Sequence, residues 1–369
     1  MILHIVTDEK FTDYAIKQFY NTESKFVLIP SNNNLLHLVK NIEKVNIIQN
    51  NSKEFNDLLT NICIYKSIIL HGTHWGNFQA TILLNIPKDV KVAWVIWGGD
   101  LLGRSDIKDN FLAPCTRLLN WLHSLKKYKK STKLEYPNWE IPYNLFSRID
   151  YCLTSQKELF DYSSLHFNKK FEYLWYTYYN IEEIIGSLFN SRTSGNNIWL
   201  GNSATPTNNH IDTLLSLYKY QAYLKGKKIY IPLSYPNTWI RNIVKKIGGI
   251  LYKKSIIPLE TFVEREKYNQ LMLDCSVMIM PHYMSQAMGN IYTGLWLGMR
   301  VYMSKKNISY NYLKRIGIKV FTIEDDLSKY KFSKLTEEEI LYNRSILLKE
   351  YGINRIKESI KEIISTLNC

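Results

Sequence analysis

Asn197-Ile-Trp-Leu-Gly-Asn-Ser-Ala-Thr-Pro-Thr-Asn-Asn-His210 is the stretch on which the reading of this chain turns. Ile198 to Leu200 reads as a buried strand, a loop of small polar residues follows, and a helix is expected to begin near Asn208. A strand that runs into a helix N-terminus leaves several main-chain N–H groups free and pointing one way, which suits a diphosphate. Gly201 lets the backbone approach closely, while Asn202, Ser203, Thr205 and Thr207 add neutral donors. The same spacing also fits an ordinary strand-to-helix turn with an Asn or Thr cap. The loop is neither a Walker A sequence nor a GxGxxG, so its position in the chain has to decide.

Moving outward, Pro281-His-Tyr-Met-Ser-Gln-Ala-Met-Gly-Asn290 repeats the logic: a buried strand at Val277 to Met280, a polar loop, then a helix start near Gln286. Two helix N-termini with Asn, Ser and Gln donors can hold a nucleotide diphosphate without a metal, and nothing here resembles the paired carboxylates of a DxD site. Further strands are expected at Lys228 to Pro232, Val301 to Met303 and Lys319 to Phe321, with helices at Asn208 to Leu224, Trp239 to Lys246, Glu260 to Asp274 and Gln286 to Leu297. Glu260, at the start of its expected helix, either accepts hydrogen bonds from a ribose or caps the helix.

Upstream the alternation is the same. Strands are expected at Ile2 to Val6, Lys25 to Ile29, Val45 to Ile48, Ser67 to Leu70, Val92 to Trp97 and Ile149 to Leu153, with helices at Phe11 to Tyr20, Lys53 to Ile62, Asn77 to Leu84, Ala113 to Tyr128 and Gln156 to His166. Continuous apolar strands separated by helices indicate parallel sheets buried on both faces. The polar run closing at Asn196 reads as a linker. The expected organisation is a Rossmann-like domain over 1–180, a linker over 181–197, a second Rossmann-like domain over 198–335 and C-terminal helices over 336–369, possible partners of both domains. Thr336-x-x-Glu339 is a capping box, and Ile353, Ile356, Ile360, Ile363, Ile364 and Leu367 make one apolar stripe. Doubly wound halves place ligands at the carboxyl ends of their strands, so the fold expected is α/β with two such domains facing across a cleft.

Asp8, His71, His74 and Asp100 all follow strands of the first half, and a carboxylate or imidazole there can take a proton from an attacking hydroxyl. Helix capping for the acids and structural hydrogen bonding for the histidines are the plainer alternatives. The 369 residues carry a net charge of +14, which invites a polyanionic partner. Between Phe111 and Leu134 lie Arg117, Lys126, Lys127, Lys129, Lys130 and Lys133 with no acidic residue, and Trp121, Leu122 and Leu125 are interleaved with them. That pattern suits an anionic membrane surface or a lipid-linked diphosphate, a solvated lysine-rich helix end being the alternative. Five scattered cysteines without CxxC pairing argue against a disulfide framework or a zinc site and for a reducing compartment. No window reaches about 18 uninterrupted apolar residues, and the start lacks a signal-like pattern, so a cytoplasmic protein without a span is expected. Nucleic-acid binding would need basic residues and free aromatics on one face, whereas many of the 27 tyrosines lie within apolar elements. A non-catalytic scaffold of the same architecture is a further alternative.

Gly201-Asn-Ser203 with Asn209-His210, Ile231-Pro-Leu-Ser-Tyr-Pro236, Gln286-x-x-Gly289, His71-Gly72 and Trp97-Gly-Gly-Asp100 together resemble glycosyltransferase family 56, the TDP-N-acetylfucosamine:lipid II N-acetylfucosaminyltransferases of enterobacterial common antigen assembly. The resemblance implies a GT-B fold and an enzyme peripheral to the cytoplasmic side of the bacterial inner membrane. It also implies a TDP-linked amino-deoxyhexose donor and an undecaprenyl-diphosphate saccharide acceptor, with no cofactor. Carried over by position, Gly201, Asn202, Ser203, Thr205, Asn208, His210, Gln286, Gly289 and Asn290 would hold the donor; Tyr235 of the 231–236 segment and Glu260, from its expected helix start, are added to that set. Asp100, Asp8 and His71 would serve the reaction, and His74, Trp97, Lys126, Lys127, Lys129 and Lys130 the acceptor or the membrane. The loop Ala204-Thr-Pro206 and the residues after His71 depart from the family pattern, which leaves the donor sugar open.

Overall fold

The structure is a computed structural model that describes residues 1–20, 22–30, 39–72, 78–102, 104–128 and 143–369. His74, Lys129 and Lys130 lie outside the described residues, as do the side chains of Lys126 and Lys127. Two compact units divide the chain. Met1–Arg104, Tyr136–Asn180 and Tyr351–Cys369 form the first; Ser105–Glu135 and Ile181–Glu350 form the second.

The first unit is built on seven parallel strands: β1 (Ile2–Val6), β2 (Ser24–Leu28), β3 (Val45–Ile47), β4 (Ser67–His71), β5 (Lys91–Val95), β6 (Tyr151–Leu153) and β7 (Glu172–Leu174). Their order is β3-β2-β1-β4-β5-β6-β7. Every residue of β1 and β4 is buried, as strands covered on both faces by helices require. The order reverses between β1 and β4, where Val6 lies opposite His71. The segments leaving those two strands therefore flank the switch point, and Asp8 and His71 are placed there.

The second unit carries six parallel strands: β8 (Asn197–Leu200), β9 (Ile229–Pro232), β10 (Ile256–Leu259), β11 (Cys275–Met280), β12 (Arg300–Met303) and β13 (Phe321–Thr322). They run in the order β10-β9-β8-β11-β12-β13. Here the reversal falls between β8 and β11, so the two polar loops singled out in the sequence open at one switch point. Ile198, Leu200, Ile211, Leu214, Ile229, Ile231, Val277 and Ile279 are fully or almost fully buried in the core beneath them.

Three expectations need correction. β10 was not foreseen because Pro258 interrupts its short apolar run, and proline is tolerated there since β10 is the sheet edge. The helix expected from Glu260 begins only at Arg265, so Glu260 follows a strand instead of opening a helix. The helix expected over Asn208 to Leu224 is broken: His210–Leu217 is α-helical, Tyr218–Tyr220 tightens to a 3₁₀ turn, and Gln221–Leu224 resumes.

Ser105–Glu135 joins the second unit through side chains distant in sequence. Asp212 accepts from the Cys115 N–H (2.8 Å), the Thr116 N–H (2.8 Å) and the Thr116 hydroxyl (2.6 Å), covering the free donors at the start of the helix Pro114–Tyr128. Asn209 accepts from the Ala113 N–H at 2.8 Å and donates to the Phe111 carbonyl at 3.1 Å. At the other end of the chain the capping box forms: the Thr336 N–H donates to Glu339 Oε2 (2.9 Å) and the Glu339 N–H to Thr336 Oγ1 (3.2 Å). On the helix Ile353–Asn368, Ile356, Ile360, Ile363 and Leu367 are buried, whereas Ile353 is exposed, so the stripe is shorter than its sequence pattern. Lys91 Nζ donates to the Thr366 carbonyl at 2.8 Å, tying this helix to the first sheet.

Candidate functional site

The loop leaving β8 is shaped by main-chain conformation before side chains enter. Gly201 has φ +68°, and a Cβ there would lie 2.2 Å from His210 Nε2 and 2.9 Å from Asn208 Oδ1. Only glycine lets the backbone turn left-handed this close to the imidazole. Asn208 then ties the loop together: its Oδ1 accepts from the Asn202 N–H (3.0 Å) and its Nδ2 donates to Ser203 Oγ (3.1 Å) and Thr205 Oγ1 (2.7 Å). Ser203, Thr205 and Asn208 are thus committed to one another and fix the loop. The Ala204 N–H donates to the Tyr235 carbonyl at 2.7 Å, beside the cis Tyr235–Pro236 bond.

The loop leaving β11 ends in the same manner. Asn209 (φ 49°) and Ala287 (φ 56°) are both left-handed, and each immediately precedes a helix, His210–Leu217 and Met288–Leu297. Neither residue caps its helix with a side chain. A left-handed alanine is unfavourable by about 1 kcal/mol or more, and such conformations persist where surrounding structure imposes them. At the start of Met288–Leu297 a Cβ on Gly289 would meet nothing within 4 Å, so the side of the chain there is open. Thr207 Oγ1 donates to Gln286 Oε1 at 3.2 Å and so links the two loops.

In front of them lies a cavity of about 320 Å³, lined by Asn202, Tyr235, Gly289, Asn290 and the unforeseen segment Leu259, Thr261, Phe262 and Val263. Its volume is at the lower end for small-molecule sites, roughly 300–1,000 Å³. Tyr268 also lines it, accepts from Asn290 Nδ2 at 2.9 Å and meets the Trp199 ring edge-on. Phe262 is 86% exposed and Tyr235 59% exposed, so two aromatic faces stand free at the rim. Glu260 lies between lining residues in sequence, yet its carboxylate pairs with Lys245 Nζ at 2.7 Å.

Behind the loops two imidazoles are buried, His210 from the helix after β8 and His282 from the loop after β11. Burial holds His210 down at about 4 and His282 at about 3, the latter depressed further by His210. Main-chain groups of Leu200 and Gln286 pull the other way without offsetting burial. Both rings are therefore neutral near pH 7. None of their four ring nitrogens has a hydrogen-bonding partner of good geometry, and the same holds for Asn202 Oδ1 and Gln286 Nε2. Buried polar atoms without partners are rare and mark a place where a ligand can supply them. Gly201→Ala is expected to lower the stability of the second unit by about 2 kcal/mol and its melting temperature by about 6 °C, since the loop must move away from His210. An unchanged melting curve would show that this close approach is not maintained.

In the first unit the residues expected to work together are distributed differently. Asp8 Oδ1 accepts from the Lys10 N–H at 3.0 Å and caps the helix Glu9–Gln18, while the residue stays partly exposed. Asp100 is buried, and its Oδ2 accepts from Trp94 Nε1 (3.0 Å) and the Trp97 N–H (2.9 Å). His71 is buried in a chain of polar groups: its Nε2 is 3.1 Å from His4 Nδ1, and its Nδ1 is 2.7 Å from Tyr178 Oη. Trp97 Nε1 donates to the same Tyr178 oxygen at 3.3 Å. Burial lowers His71 to about 3, and His4 is lowered by burial and then by His71. Gly72, φ +85°, brings the backbone against the Trp97 ring, where a Cβ would lie 2.7 Å from it. His4 escaped the sequence reading because it lies inside β1, and Tyr178 because it follows the short strand β7, where no polar loop marks a strand end. Among the described residues, no group of three or more His, Cys, Asp or Glu side chains is placed to share a metal ion, and no helix is long and apolar enough to cross a membrane.

The profile of the family described as 4-alpha-L-fucosyltransferase glycosyl transferase group 56 matches residues 147–346, more than half of the chain. No curated protein sequence matches. A glycosyltransferase from Rickettsia africae ESF-5 shares the fold with a TM-score of 0.61 at 14% identity, over 100% of this chain and 98% of that one. The sucrose-phosphate synthase of Thermosynechococcus elongatus gives 0.62 at 9% identity, over 100% and 99%. An alpha-glucosyltransferase solved with UDP and a 13-mer DNA gives 0.56 at 12% identity, over 99% and 98%. At such identities the likeness speaks for the fold alone, and that fold is GT-B.

Proposed function

The chain belongs to the group 56 glycosyltransferases, and from this premise we propose that it transfers a fucosyl-type 4-acetamido-4,6-dideoxyhexose from a TDP-sugar to an undecaprenyl-diphosphate-linked saccharide. The product would enter a bacterial surface polysaccharide such as enterobacterial common antigen or O-antigen, with the enzyme peripheral to the cytoplasmic side of the inner membrane. One observation carries the donor half of this reading. At the switch point of the second sheet, an uncapped helix start, unpartnered buried polar groups and a cavity lined by both polar and apolar side chains adjoin one another.

The diphosphate belongs at the start of Met288–Leu297, where main-chain N–H groups and the helix dipole favour negative charge. Gln286 Nε2 and the Asn290 amide supply neutral donors, Asn202 lines the same cavity, and the base occupies the cavity against Leu259, Val263 and the Tyr235 and Phe262 rings. Held this way, the departing TDP is stabilised as charge grows on it. His210 acts from beneath Gly201, and Ser203, Thr205 and Asn208 keep the loop in place. Glu260 is proposed as a ribose acceptor that exchanges its pairing with Lys245 for the sugar hydroxyls.

For the first unit, Asp8 is proposed as the base that takes the proton of the attacking acceptor hydroxyl. One of its oxygens is engaged in capping, the other remains available, and the group is accessible. Asp100 and His71 hold Trp97 and Tyr178 in place through hydrogen bonds.

Calorimetric titration of the full chain with TDP, UDP, GDP and ADP in the presence of EDTA tests the donor half. TDP is expected to bind at least about tenfold more tightly than the others, a difference of about 1.4 kcal/mol, with no need for a divalent cation. Absence of binding to all four nucleotides would overturn the assignment of this cavity.

A further inference from the structure

The helix Pro114–Tyr128 has two apolar faces, and only one of them is used within the protein. Thr116 is buried, Leu119 packs on the core of the second unit, and the His123 ring stacks on Trp239 at 4.3 Å, so positions 116, 119 and 123 face inward. Leu118, Trp121, Leu122 and Leu125 are 55%, 55%, 41% and 43% exposed. Their spacing of three and four residues places them on a single outward stripe about 100° wide. Four large apolar side chains on one helix face form a patch that a folded protein does not ordinarily leave in water.

The composition around the stripe selects its partner. From 111 to 134 the sequence contains six basic residues and no acidic one. An apolar stripe that includes a tryptophan, on a helix whose charges are all positive, matches the interface of a bilayer bearing anionic headgroups. A partner protein or a second copy would have to supply both an apolar groove and matching acidic groups, and this chain itself carries a net +14. We infer that Leu118, Trp121, Leu122 and Leu125 enter the headgroup region of an anionic membrane, seating the second unit on the bilayer by this helix. The inference deepens the lipid-linked acceptor reading and rests on it for its biological purpose; the surface itself rests on the exposed stripe and on the positive charge around it.

Sedimentation of the full chain with vesicles of phosphatidylglycerol and phosphatidylethanolamine, and separately with vesicles of phosphatidylcholine alone, tests it. The wild type is expected to partition at least about tenfold more strongly onto the anionic vesicles. The variant Leu118→Gln/Trp121→Gln/Leu122→Gln/Leu125→Gln, whose changes are exposed and compatible with a helix, is expected to lose at least about thirtyfold in partitioning while keeping the wild-type melting temperature and TDP affinity. Two results overturn the inference: a variant that binds anionic vesicles as well as wild type, or a wild type that ignores vesicles and dimerises through this face. Transfer onto a short-chain, water-soluble acceptor separates the two readings. Its absence from both proteins, with vesicle binding intact in the wild type, would refute the proposed reaction and leave the membrane surface standing.

Discussion

Asp8→Asn is expected to lower the transfer rate about a thousandfold, close to 4 kcal/mol of transition-state stabilisation, and to leave TDP affinity within about a factor of two. The substitution is selective for physical reasons. Asn caps a helix as well as Asp does, so the bond from the Lys10 N–H to this side chain survives and the helix Glu9–Gln18 keeps its start. What is lost is an oxygen able to hold a proton. Asp100→Asn serves as the contrasting case. Asp100 anchors the Trp94 indole and the Trp97 main chain, so its loss is expected to lower the melting temperature and to affect rate through the displaced Trp97. Single-turnover kinetics with calorimetric TDP binding and thermal melting on both variants decide between them. A silent Asp8→Asn, beside an Asp100→Asn that melts normally yet is inactive, would move the role of base to Asp100.

Acid is expected to destabilise the second unit well before its carboxylates titrate. In the unfolded chain His210 and His282 take up protons near the ordinary histidine value of about 6.5. In the folded unit burial keeps them neutral until about 4 and about 3. Below about pH 6.5 the unfolded state therefore binds more protons, and stability falls with pH until the folded rings titrate in turn. Stability from this source is fully present above about 6.5. Each group contributes about 1.4 kcal/mol per pH unit within the window, so at pH 5 the two together remove on the order of 4 kcal/mol. That is a large share of the roughly 5–15 kcal/mol that holds a domain folded. Urea unfolding of the full chain at pH 7.5, 6 and 5, followed by fluorescence, measures the loss, and His210→Gln/His282→Gln is expected to flatten it. A wild-type profile that is flat from 7.5 to 5 would mean that these rings are not buried as neutral groups. Saturating TDP is expected to raise stability at each pH by mass action, which ties the acid effect to the donor site.

Much of the proposed donor site was legible because its features are local. A strand, a glycine, small polar residues and a helix start lie within fourteen consecutive residues at 197–210, and the same sequence of features recurs up to Asn290. Main-chain donors at a helix start are present whatever packs elsewhere, so a short window suffices to find them. Thr261, Phe262 and Val263 were missed with the strand before them. A proline in a four-residue apolar run carries no strand signal until it is known that the run occupies a sheet edge. Asp8 and Asp100 look alike as residues following strands, and only the indole and amide that surround Asp100 set them apart. Nor does any short window contain both Asp212 and the Cys115 and Thr116 N–H groups it covers, which lie 97 and 96 residues away and fasten 105–135 to the second unit.

By itself, then, the sequence determined the alternation of strands and helices, the parallel sheets and the two polar loops proposed here to hold a diphosphate. Those features depend on hydrophobic period and on main-chain groups, both of which are encoded among near neighbours. Only the tertiary structure decided that the two loops open at one switch point, that His210 and His282 are buried behind them, and that Leu118, Trp121, Leu122 and Leu125 remain exposed on a helix whose inner face holds Thr116, Leu119 and His123. Burial, and with it the charge state of a histidine or the freedom of a carboxylate, is set by residues brought together from far along the chain.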